Sequence, residues 1–332
     1  MGVERNWRES GMIRPYDPND EEAVAGLVSQ SWGLDWQGGS YPPYGPATDE
    51  PAFLRTVVAE SERRVVGFGS IWTAPMHPHA LYSAVGVEPA QQGCCFGRQL
   101  MERLLALRGP RASLRMQTGI WETNERGARF LRHHGFAPVR KTWEPILPVT
   151  SELLGAAPKL QRAQAVRVAR CKRAGYVISA LSELARDRAW TVKVAALCAE
   201  VYAATHLINP PAMVSRSTWE EIVFGDPEDP LLERGSFVAM SGDDPVAFAL
   251  LHPSPEPGIL ELGWRGVAEG HRSWSRSLVL ALTFEQVFYA MREGSDLRAE
   301  VDSTDPWAMM MYQALPFRPA AAWVTWQRPP GE

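Results

Sequence analysis

The chain contains a short glycine-bearing turn whose residue types suit the binding of a phosphate group. The turn lies between an apolar stretch that ends at Val87 and an apolar helical pattern, and it consists of Gln92, Gly93, Cys94, Cys95, Phe96, Gly97 and Arg98. In a strand–turn–helix arrangement, the main-chain N–H groups of the turn and of the first helical turn can bind an anion. Glycine allows the anion to approach the backbone closely. The pattern therefore predicts a cradle for a pyrophosphate.

The landmarks around this turn occur twice, about 180 residues apart. Gly86-Val87 and the turn at Gln92 correspond to Gly266-Val267 and a turn at Arg272. Further along, Asn124 precedes Gly135-Phe136 by eleven residues, and Asp305 precedes Pro316-Phe317 by the same eleven. A constant offset over separate landmarks indicates a duplicated domain. The 332 residues are also enough for two domains of roughly 150 residues each.

The strand, the Gln-x-x-x-x-Gly turn, the helix and the later Asn-x10-Gly-Phe stretch together resemble the coenzyme A-binding region of the GNAT superfamily of N-acetyltransferases. The resemblance covers nearly the whole chain, as two tandem GNAT domains in a plan similar to mycothiol synthase-like proteins. It implies an α/β (α+β) fold in which each domain is a mixed, mostly antiparallel twisted sheet flanked by helices. We expect a disordered extension over 1–11, domain 1 over 12–150, a linker helix over 151–175 and domain 2 over 176–332.

The resemblance also implies an activity and a set of ligands. The expected activity is that of an acetyl-CoA-dependent N-acetyltransferase, which transfers an acetyl group to a small-molecule primary amine with acetyl-CoA as co-substrate and without a metal. Strand N–H groups near Val87 would polarise the thioester carbonyl. The residues expected to bind coenzyme A are Val85 and Val87 along the pantetheine arm, Gln92, Gly93, Cys94, Cys95, Phe96, Gly97 and Arg98 around the pyrophosphate, and Asn124 beside it.

The two turns depart from the family pattern to different degrees. In the first turn, Cys95 replaces a glycine; a non-glycine residue in the left-handed conformation costs about 1–2 kcal/mol. Several N–H bonds to phosphate, roughly 1.5–3 kcal/mol each, outweigh that cost. The second turn has Ser273, Ser275 and Ser277 at the small positions, and Arg276 where the family has an aliphatic anchor. We therefore expect the first turn to bind coenzyme A and the second to be degraded.

Candidates for acid–base chemistry lie in the second half of the chain. Tyr312 falls where the family often has a tyrosine that protonates the leaving thiolate, whereas the first half has Leu131 there. Glu261 and Glu300 are carboxylates on otherwise apolar strands and could accept a proton from the amine. The alternative roles are structural: a helix aromatic for Tyr312 and solvent-facing carboxylates for the two glutamates. These three residues are the predicted catalytic set if the second half is the catalytic one.

Each half therefore lacks a part of the site that the other half keeps, and this leaves two other functions open. A turn without the tyrosine and a tyrosine without the turn are also expected of a catalytically degenerate acyl-CoA-binding or regulatory protein. Acetylation of a protein amine would be a third function. Trp32, Trp36, Tyr41 and Tyr44 lie where GNAT proteins build the acceptor pocket, and they could surround a cationic amine or merely order a long loop.

The composition of the chain limits the cellular location and the classes of binding partner that we expect. A net charge of −4 and a sequence pI near 6.0 argue against binding nucleic acid through charge. The four cysteines have no zinc or disulfide spacing, the amino terminus lacks an apolar signal-peptide core, and no stretch approaches a membrane span. We therefore expect a cytoplasmic protein, monomeric or homodimeric, without a membrane or nucleic-acid partner.

Hydrophobic periodicity predicts the same element order in both halves. In the first half, strands are predicted at 12–16, 56–60, 65–73, 81–87 and 112–118, with helices at 21–32, up to 108 and at 124–134, and further strands up to 147. In the second half, strands are predicted at 176–180, 236–240, 246–251, 259–267 and 297–302, with a helix at 192–205 and a last helix that Asp305 caps.

Overall fold

The structure is a computed structural model that describes residues 12–32, 42–49, 52–184, 189–225 and 230–330. The predicted extension 1–11, together with Trp36 and Tyr41, lies outside these residues. The chain forms two compact units: Met1–Val139 with Val324–Glu332, here called unit 1, and Arg140–Trp323, called unit 2. The domain boundaries near 150 and 176 stay a prediction.

The described residues contain both strands and helices, as expected of an α/β (α+β) fold. The strands are β1 (Met12–Pro15), β2 (Leu54–Ser61), β3 (Arg64–Ala74), β4 (His77–Val87), β5 (Arg115–Trp121), β6 (Ala137–Trp143), β7 (Ile146–Leu147), β8 (Tyr176–Ala180), β9 (Phe237–Ser241), β10 (Asp244–Pro253), β11 (Ile259–Val267), β12 (Asp296–Ala299), β13 (Val301–Asp302) and β14 (Ala322–Arg328). The helices are α1 (Glu21–Trp32), α2 (Phe96–Leu107), α3 (Glu125–His133), α4 (Ser151–Arg173), α5 (Ala189–Thr205), α6 (Arg216–Phe224), α7 (Ser275–Glu293) and α8 (Pro306–Ala314).

The sheet of unit 1 is mixed and mostly antiparallel, with the strand order β1-β2-β3-β4-β5-β14-β6. The strand β14, which comes after all of unit 2 in the sequence, is inserted between β5 and β6. One face of the sheet buries an apolar core under α2 and α3 that includes Leu100, Leu104, Leu131 and Trp326. A smaller core under α1 covers the other face, so the sheet is enclosed by helices on both sides.

The sheet of unit 1 opens between β4 and β5. These two strands run parallel and pair only from Ala80–Tyr82 to Arg115–Gln117. Beyond Tyr82, β4 continues to Val87 on its pairing with β3, while β5 continues to Trp121. Two parallel strands that stop pairing leave main-chain groups facing a cleft. This splayed segment lies directly before the turn that the sequence predicts to bind phosphate.

Unit 2 repeats this plan with its own sheet, in the order β7-β12-β11-β10-β9-β8. The strands β11 and β12 are parallel and pair only up to Leu262 and Ala299. The helices α7 and α8 bury the core of this unit, which includes Leu262, Phe284 and Met311. Short β13 pairs with the end of β6, through Val301 with Trp143.

The duplication is visible in individual hydrogen bonds. Glu88 N donates to Val66 O at 2.9 Å, and Ala268 N donates to Val246 O at 2.9 Å, so the same bond recurs with both partners displaced equally along the chain. The predicted fold class, two tandem domains each with a mixed sheet flanked by helices, is confirmed. Among the described residues, no helix is both long enough and apolar enough to cross a membrane.

Some elements differ from their predicted bounds. The strand predicted at 112–118 begins later, because a 3-10 turn occupies Gly109–Ser113. The strand predicted at 297–302 is divided at Glu300 into β12 and β13. Neither α6 nor β14 is anticipated by the sequence pattern.

Candidate functional site

The turn between β4 and α2 holds two residues in the left-handed region of backbone conformation. Gly93 has φ +94°, and Cys95 has φ 68° and ψ −1°. Glycine adopts such a φ at no steric cost, whereas Cys95 carries the strain expected from its sequence position. Cys94 and Cys95 are exposed, while Phe96 is buried in the core and fixes the start of the helix. The turn is therefore anchored on one side and open to solvent on the other.

The backbone of this turn presents unpaired N–H groups. Within 52–184, a range described without gaps, Cys94 N donates to Gln91 O and Gln99 N donates to Cys95 O. In the same range, the N–H groups of Gly93 and 95–98 donate to no protein acceptor. A helix of twelve residues also places the positive end of its dipole here. The turn is thus a preformed cradle for an anion.

The predicted pantetheine residues lie on the strand that leads to the cradle. Because Glu88 N donates towards β3, alternation along the strand turns the N–H groups of Val85 and Val87 towards the splayed side. Gln92 reaches back to the same strand, since its Nε2 donates to Val87 O at 3.0 Å. The side chains of Val85 and Val87 pack against the core under α2. The cleft therefore has main-chain donors in its wall, where a thioester carbonyl could be polarised.

The start of α3 contributes two residues near the cradle, its N-cap and a residue of its first turn. Asn124 is the N-cap of α3, because its Oδ1 accepts from Gly127 N at 2.8 Å. The next turn brings Arg126 to the cradle: its Nη2 lies 3.5 Å from the position that a β-carbon on Gly93 would occupy. Arg126 is exposed and forms no ion pair among the described residues. A guanidinium so placed suits a phosphate oxygen.

Arg98 and Gly97 complete the description of the first turn. Arg98 is exposed, and its Nε lies 3.7 Å from Glu102 Oε1, one helical turn further on. A β-carbon on Gly97 would lie 3.5 Å from the ring of Phe130, which is ordinary contact. A side chain at Gly97 would therefore touch the ring of Phe130 without a clash.

The corresponding turn of unit 2 is closed by its own backbone and side chains. A 3-10 helix over Glu269–Trp274 runs directly into α7, so His271 N donates to Ala268 O and Ser275 N to Arg272 O. The ring of Trp274 packs 5.7 Å from that of Tyr176, and the guanidinium of Arg170 lies over it at 5.5 Å. Tyr176 is also bonded to His271, with Oη and Nδ1 2.9 Å apart. The N–H of Ser275, which corresponds to the unpaired N–H of Cys95 in unit 1, is therefore used within the backbone here.

In unit 2, a buried side chain of the splayed strand β11 lies at the position that corresponds to Val85 of unit 1. Arg265, which precedes Gly266 as Val85 precedes Gly86, is buried and donates to Thr283 Oγ1 at 3.1 Å and to Gly263 O at 3.3 Å. Burial lowers the pKa of Arg265 to about 10, opposed by the charge of Asp305. Asp305 caps α8 through the N–H groups of Trp307 and Ala308. A side chain fills the position that in unit 1 carries a small valine.

The predicted carboxylates of unit 2 lie near the end of the β11–β12 pairing. Glu261 Oε1 accepts from Ser254 Oγ at 2.8 Å and lies 3.7 Å from Arg298 Nη1. Glu300 follows the last paired residue; the residue is exposed, and the protein around it partly desolvates its carboxylate. This desolvation, followed by the charge of Asp302, raises the pKa of Glu300 to about 7, while Arg140 opposes the rise. Glu144 belongs to the same group: burial raises its pKa, while Arg298 opposes the rise.

Tyr312 lies on α8 as predicted, in an aromatic stack. Its ring is 6.1 Å from that of Trp143, nearly parallel, and 5.7 Å from that of Phe317. The side chain is half-buried against the core of unit 2. The structure therefore gives Tyr312 a packing function and places it, with Glu261 and Glu300, in the unit whose turn is closed. Their catalytic roles stay a prediction.

Of the four aromatic residues predicted for an acceptor pocket, the side chain of Tyr44 is described. Its hydroxyl donates to Glu21 Oε1 at 3.3 Å, while Tyr16 donates to Glu21 Oε2 at 2.5 Å. Both rings pack beside the core under α1. The side chains of Trp32, Trp36 and Tyr41 lie outside the described residues.

Comparison with known proteins identifies the fold. Residues 53–138, which include β4, the cradle, α2 and α3, match the family described as "Acetyltransferase (GNAT) domain". A search of curated protein sequences gives no significant match.

Solved structures resemble the whole chain. A GCN5-related N-acetyltransferase from Sphaerobacter thermophilus is 15% identical with a TM-score of 0.56, over 96% of this chain and 95% of that one. A tandem GNAT protein from the clavulanic acid biosynthesis pathway is 16% identical with a TM-score of 0.55, over 97% and 99% of the two chains. Residues 53–138 are thus a GNAT acetyltransferase domain, and the chain as a whole has the fold of tandem GNAT proteins.

Proposed function

We propose that the protein is an N-acetyltransferase that binds acetyl-CoA in unit 1 and transfers the acetyl group to a small-molecule amine. The observation that carries this proposal is the set of unpaired N–H groups over Gly93 and 95–98, directly after the splayed end of β4. The pyrophosphate of coenzyme A would occupy these amides, with Arg126 beside it. The GNAT domain match over 53–138 covers the same residues.

The proposed reaction uses the main chain of the cleft. The amine nitrogen attacks the thioester carbonyl, the carbon–sulfur bond breaks, and the coenzyme A thiolate leaves; the proton lost by the nitrogen passes to the thiolate or to water. An N–H group of Val85 or Val87 would stabilise the negative charge on the carbonyl oxygen, a contribution of about 2.7–4 kcal/mol for one such donor in other enzymes. The thiolate needs little help to leave, since a thiol has a pKa of about 8.5.

The residues at the splayed ends of β4 and β5 also bear on how basic the acceptor amine can be. Neither 83–87 nor 118–121 contains an Asp, Glu or His. An amine that is weakly basic, and so already neutral near pH 7, would react there without a protein base. We therefore expect the rate on a panel of amines to follow the fraction of each amine that is neutral.

The first test compares matched substitutions in the two turns. Gly97→Asp adds a negative charge at the start of α2, where it repels phosphate but favours the helix dipole. Ser277→Asp makes the same addition at the corresponding position of α7. We expect Gly97→Asp to weaken acetyl-CoA binding at least tenfold in calorimetry without lowering the Tm, and Ser277→Asp to leave the affinity unchanged. Weaker binding in Ser277→Asp alone would assign the coenzyme to unit 2 and overturn the proposal.

A second candidate is an acyl-CoA-binding protein without turnover. It is favoured by the distribution of residues: the cradle belongs to unit 1, while Tyr312, Glu261 and Glu300 belong to unit 2. Thiol release from acetyl-CoA, measured over the same amine panel, separates the two functions. Tight binding without thiol release on any amine would support the binding protein and exclude the transferase on that panel.

A further inference from the structure

A second group of basic side chains lies in unit 1, at the opposite end of α2 from the cradle. Arg108 follows the last residue of this helix and is only 8% exposed. Twelve helical residues span about 18 Å, so Arg108 is well separated from the anion cradle. The Nε of Arg108 donates to Leu105 O at 3.1 Å, which fixes the guanidinium against the helix end.

The inserted strand β14 supplies two further members of the group. Trp326 and Arg328 are two residues apart on this strand, so their side chains lie on the same face of the sheet. Trp326 is 3% exposed and belongs to the core that contains Leu104, one helical turn before Arg108. Arg328 Nε lies 3.7 Å from the position of a β-carbon on Gly135.

The residue before this glycine, His134, completes the group. It ends α3, and its ring packs 4.6 Å from that of Phe130. Burial lowers the pKa of His134, followed by the charge of His133, with Arg328 contributing in the same direction. Glu102 of α2 acts in the opposite direction, but it is an exposed carboxylate beside Arg98.

Each of the four side chains has a buried nitrogen without a hydrogen-bond partner. These atoms are Arg108 Nη1, Arg328 Nη1, His134 Nε2 and Trp326 Nε1. Buried polar groups in native proteins are almost always paired, and an exception calls for an explanation such as a bound water or ion. Four orphan nitrogens in one group, two of them on guanidinium ions, therefore indicate a missing acceptor.

The charge balance identifies the kind of acceptor. Among the described residues, neither Arg108 nor Arg328 forms an ion pair with a carboxylate. Burial lowers the pKa of Arg108, and the charge of Arg328 lowers it further, so the two guanidinium groups repel each other. Burying an unpaired charge is strongly unfavourable, and an anion between the two groups would remove that cost. Arginine forks match the geometry of phosphate oxygens.

We propose that Arg108, His134, Trp326 and Arg328 form an oxyanion site in unit 1 that binds one phosphate-sized anion. The site joins the end of α2, the turn after α3 and the inserted strand β14. It does not rest on the proposed acetyltransferase activity, because it uses none of the residues of the cradle.

The test measures thermal unfolding in inorganic phosphate against chloride at equal ionic strength. It uses the Gly97→Asp protein, so that phosphate bound in the cradle does not contribute. We expect phosphate to raise the Tm by several degrees when it exceeds the Kd a hundredfold. Adding Arg328→Gln should abolish this rise, whereas Arg103→Gln, the same charge removed from an exposed site on α2, should preserve it.

The effect of Arg328→Gln on the Tm in chloride, without phosphate, is an independent test of the proposal. Without phosphate, Arg328→Gln removes a repulsion, so the Tm in chloride should not fall. An equal rise in phosphate with and without Arg328 would overturn the proposal, as would no rise in the protein that keeps both arginines. Calorimetric titration of phosphate into the unsubstituted protein, with the cradle filled by coenzyme A, should show one further site. A flat titration would overturn the proposal without relying on any variant.

Discussion

Single residues decide which of the two turns can hold an anion. Gly93 and Cys95 take positive φ angles, and this conformation frees the amides that follow. At the corresponding positions, Ser273 lies within a 3-10 helix and Ser275 has φ −50°, so the backbone there folds into continuous helix. The strain at Cys95, about 1–2 kcal/mol, is thus linked to an open turn.

The raised pKa of Glu300 predicts that stability depends on pH. In the folded protein its pKa is raised to about 7, from an ordinary value of 4.5, so the folded state holds a proton that the unfolded chain releases. This contribution is present below the unfolded pKa and is lost as the pH rises towards 7. We expect Glu300→Gln to raise the Tm relative to the unsubstituted protein at pH 8 and to change it little at pH 4.5. Thermal scans over that range measure the difference.

The control for this change is Glu293→Gln, which removes the same charge from an exposed position at the end of α7. If the Tm difference caused by Glu300→Gln were constant across the pH range, the raised pKa of Glu300 would be wrong.

The sequence motif predicted the turn of the cradle, but it did not predict which side chains from other elements lie near the turns. Gly93, Gly97 and the strand before them could be recognised because the motif is local. Arg126 could not, since its approach to Gly93 depends on how α3 packs beside α2. Arg265 could not either: an arginine on a strand is typical of a solvent-facing position, and its burial, with its guanidinium bonded to Thr283 of α7, depends on tertiary packing.

At the scale of elements, the turn and the helix that follows it act together. The helix α2 starts at a buried phenylalanine, whereas the equivalent position of α7 has the exposed Arg276. In unit 2, Trp274 instead packs against Tyr176 at the start of β8. One unit therefore presents its helix start to solvent, and the other covers it with a neighbouring strand.

This difference predicts which cysteines acetyl-CoA protects. Cys94 and Cys95 are exposed on the cradle, while Cys171 and Cys198 are buried in unit 2. We expect N-ethylmaleimide to modify the first pair quickly and saturating acetyl-CoA to slow that reaction at least tenfold, because the bound pyrophosphate covers the turn. Mass spectrometry of the peptides measures each rate.

The two buried cysteines are the control, since they should react slowly with or without acetyl-CoA. Unchanged labelling of Cys94 and Cys95 under saturating acetyl-CoA would contradict a coenzyme bound over this turn.

Most elements were predictable because their signals are local. The N-cap of α8 lies at Asp305 as predicted, and α3 begins at Glu125, one residue after its predicted start. The position of β14 was not predictable, since an apolar strand does not reveal which sheet it joins. Its Val324 and Trp326 pack in the core of unit 1, against residues that belong to the first half of the sequence.

At the scale of the whole molecule, unit 1 is built from two separate stretches of chain. The strand β14 contributes Val324 and Trp326 to its core, and Gln327 Nε2 donates to Gln117 Oε1 at 2.9 Å on β5. Unit 2 lies entirely within Arg140–Trp323. The order of the units along the chain is therefore nested rather than consecutive.

Trp326→Ala tests the dependence of unit 1 on this strand. Replacing a buried aromatic residue by alanine costs about 3–5 kcal/mol. We expect the amides of β5 and β6 to exchange hydrogen faster and acetyl-CoA affinity to fall, although Trp326 lies in the sequence far from the cradle. Exchange in β9–β11 should not change. Hydrogen exchange with mass spectrometry resolves the two regions.

Trp264→Ala is the matched control, because Trp264 is 39% exposed and belongs to unit 2. Unaltered exchange in β5 and β6 after Trp326→Ala would show that unit 1 holds together without its inserted strand.

The nested strand has a consequence for synthesis on the ribosome. When residues up to Trp143 have emerged, their sheet still lacks β14, the strand that lies between β5 and β6. That gap exposes two unpaired strand edges while all of unit 2 is translated, and unpaired edges recruit other chains. Newly made protein should therefore depend on chaperones, or on a low growth temperature, until β14 leaves the ribosome. A messenger RNA truncated after unit 2 should yield aggregates rather than a half-active fragment.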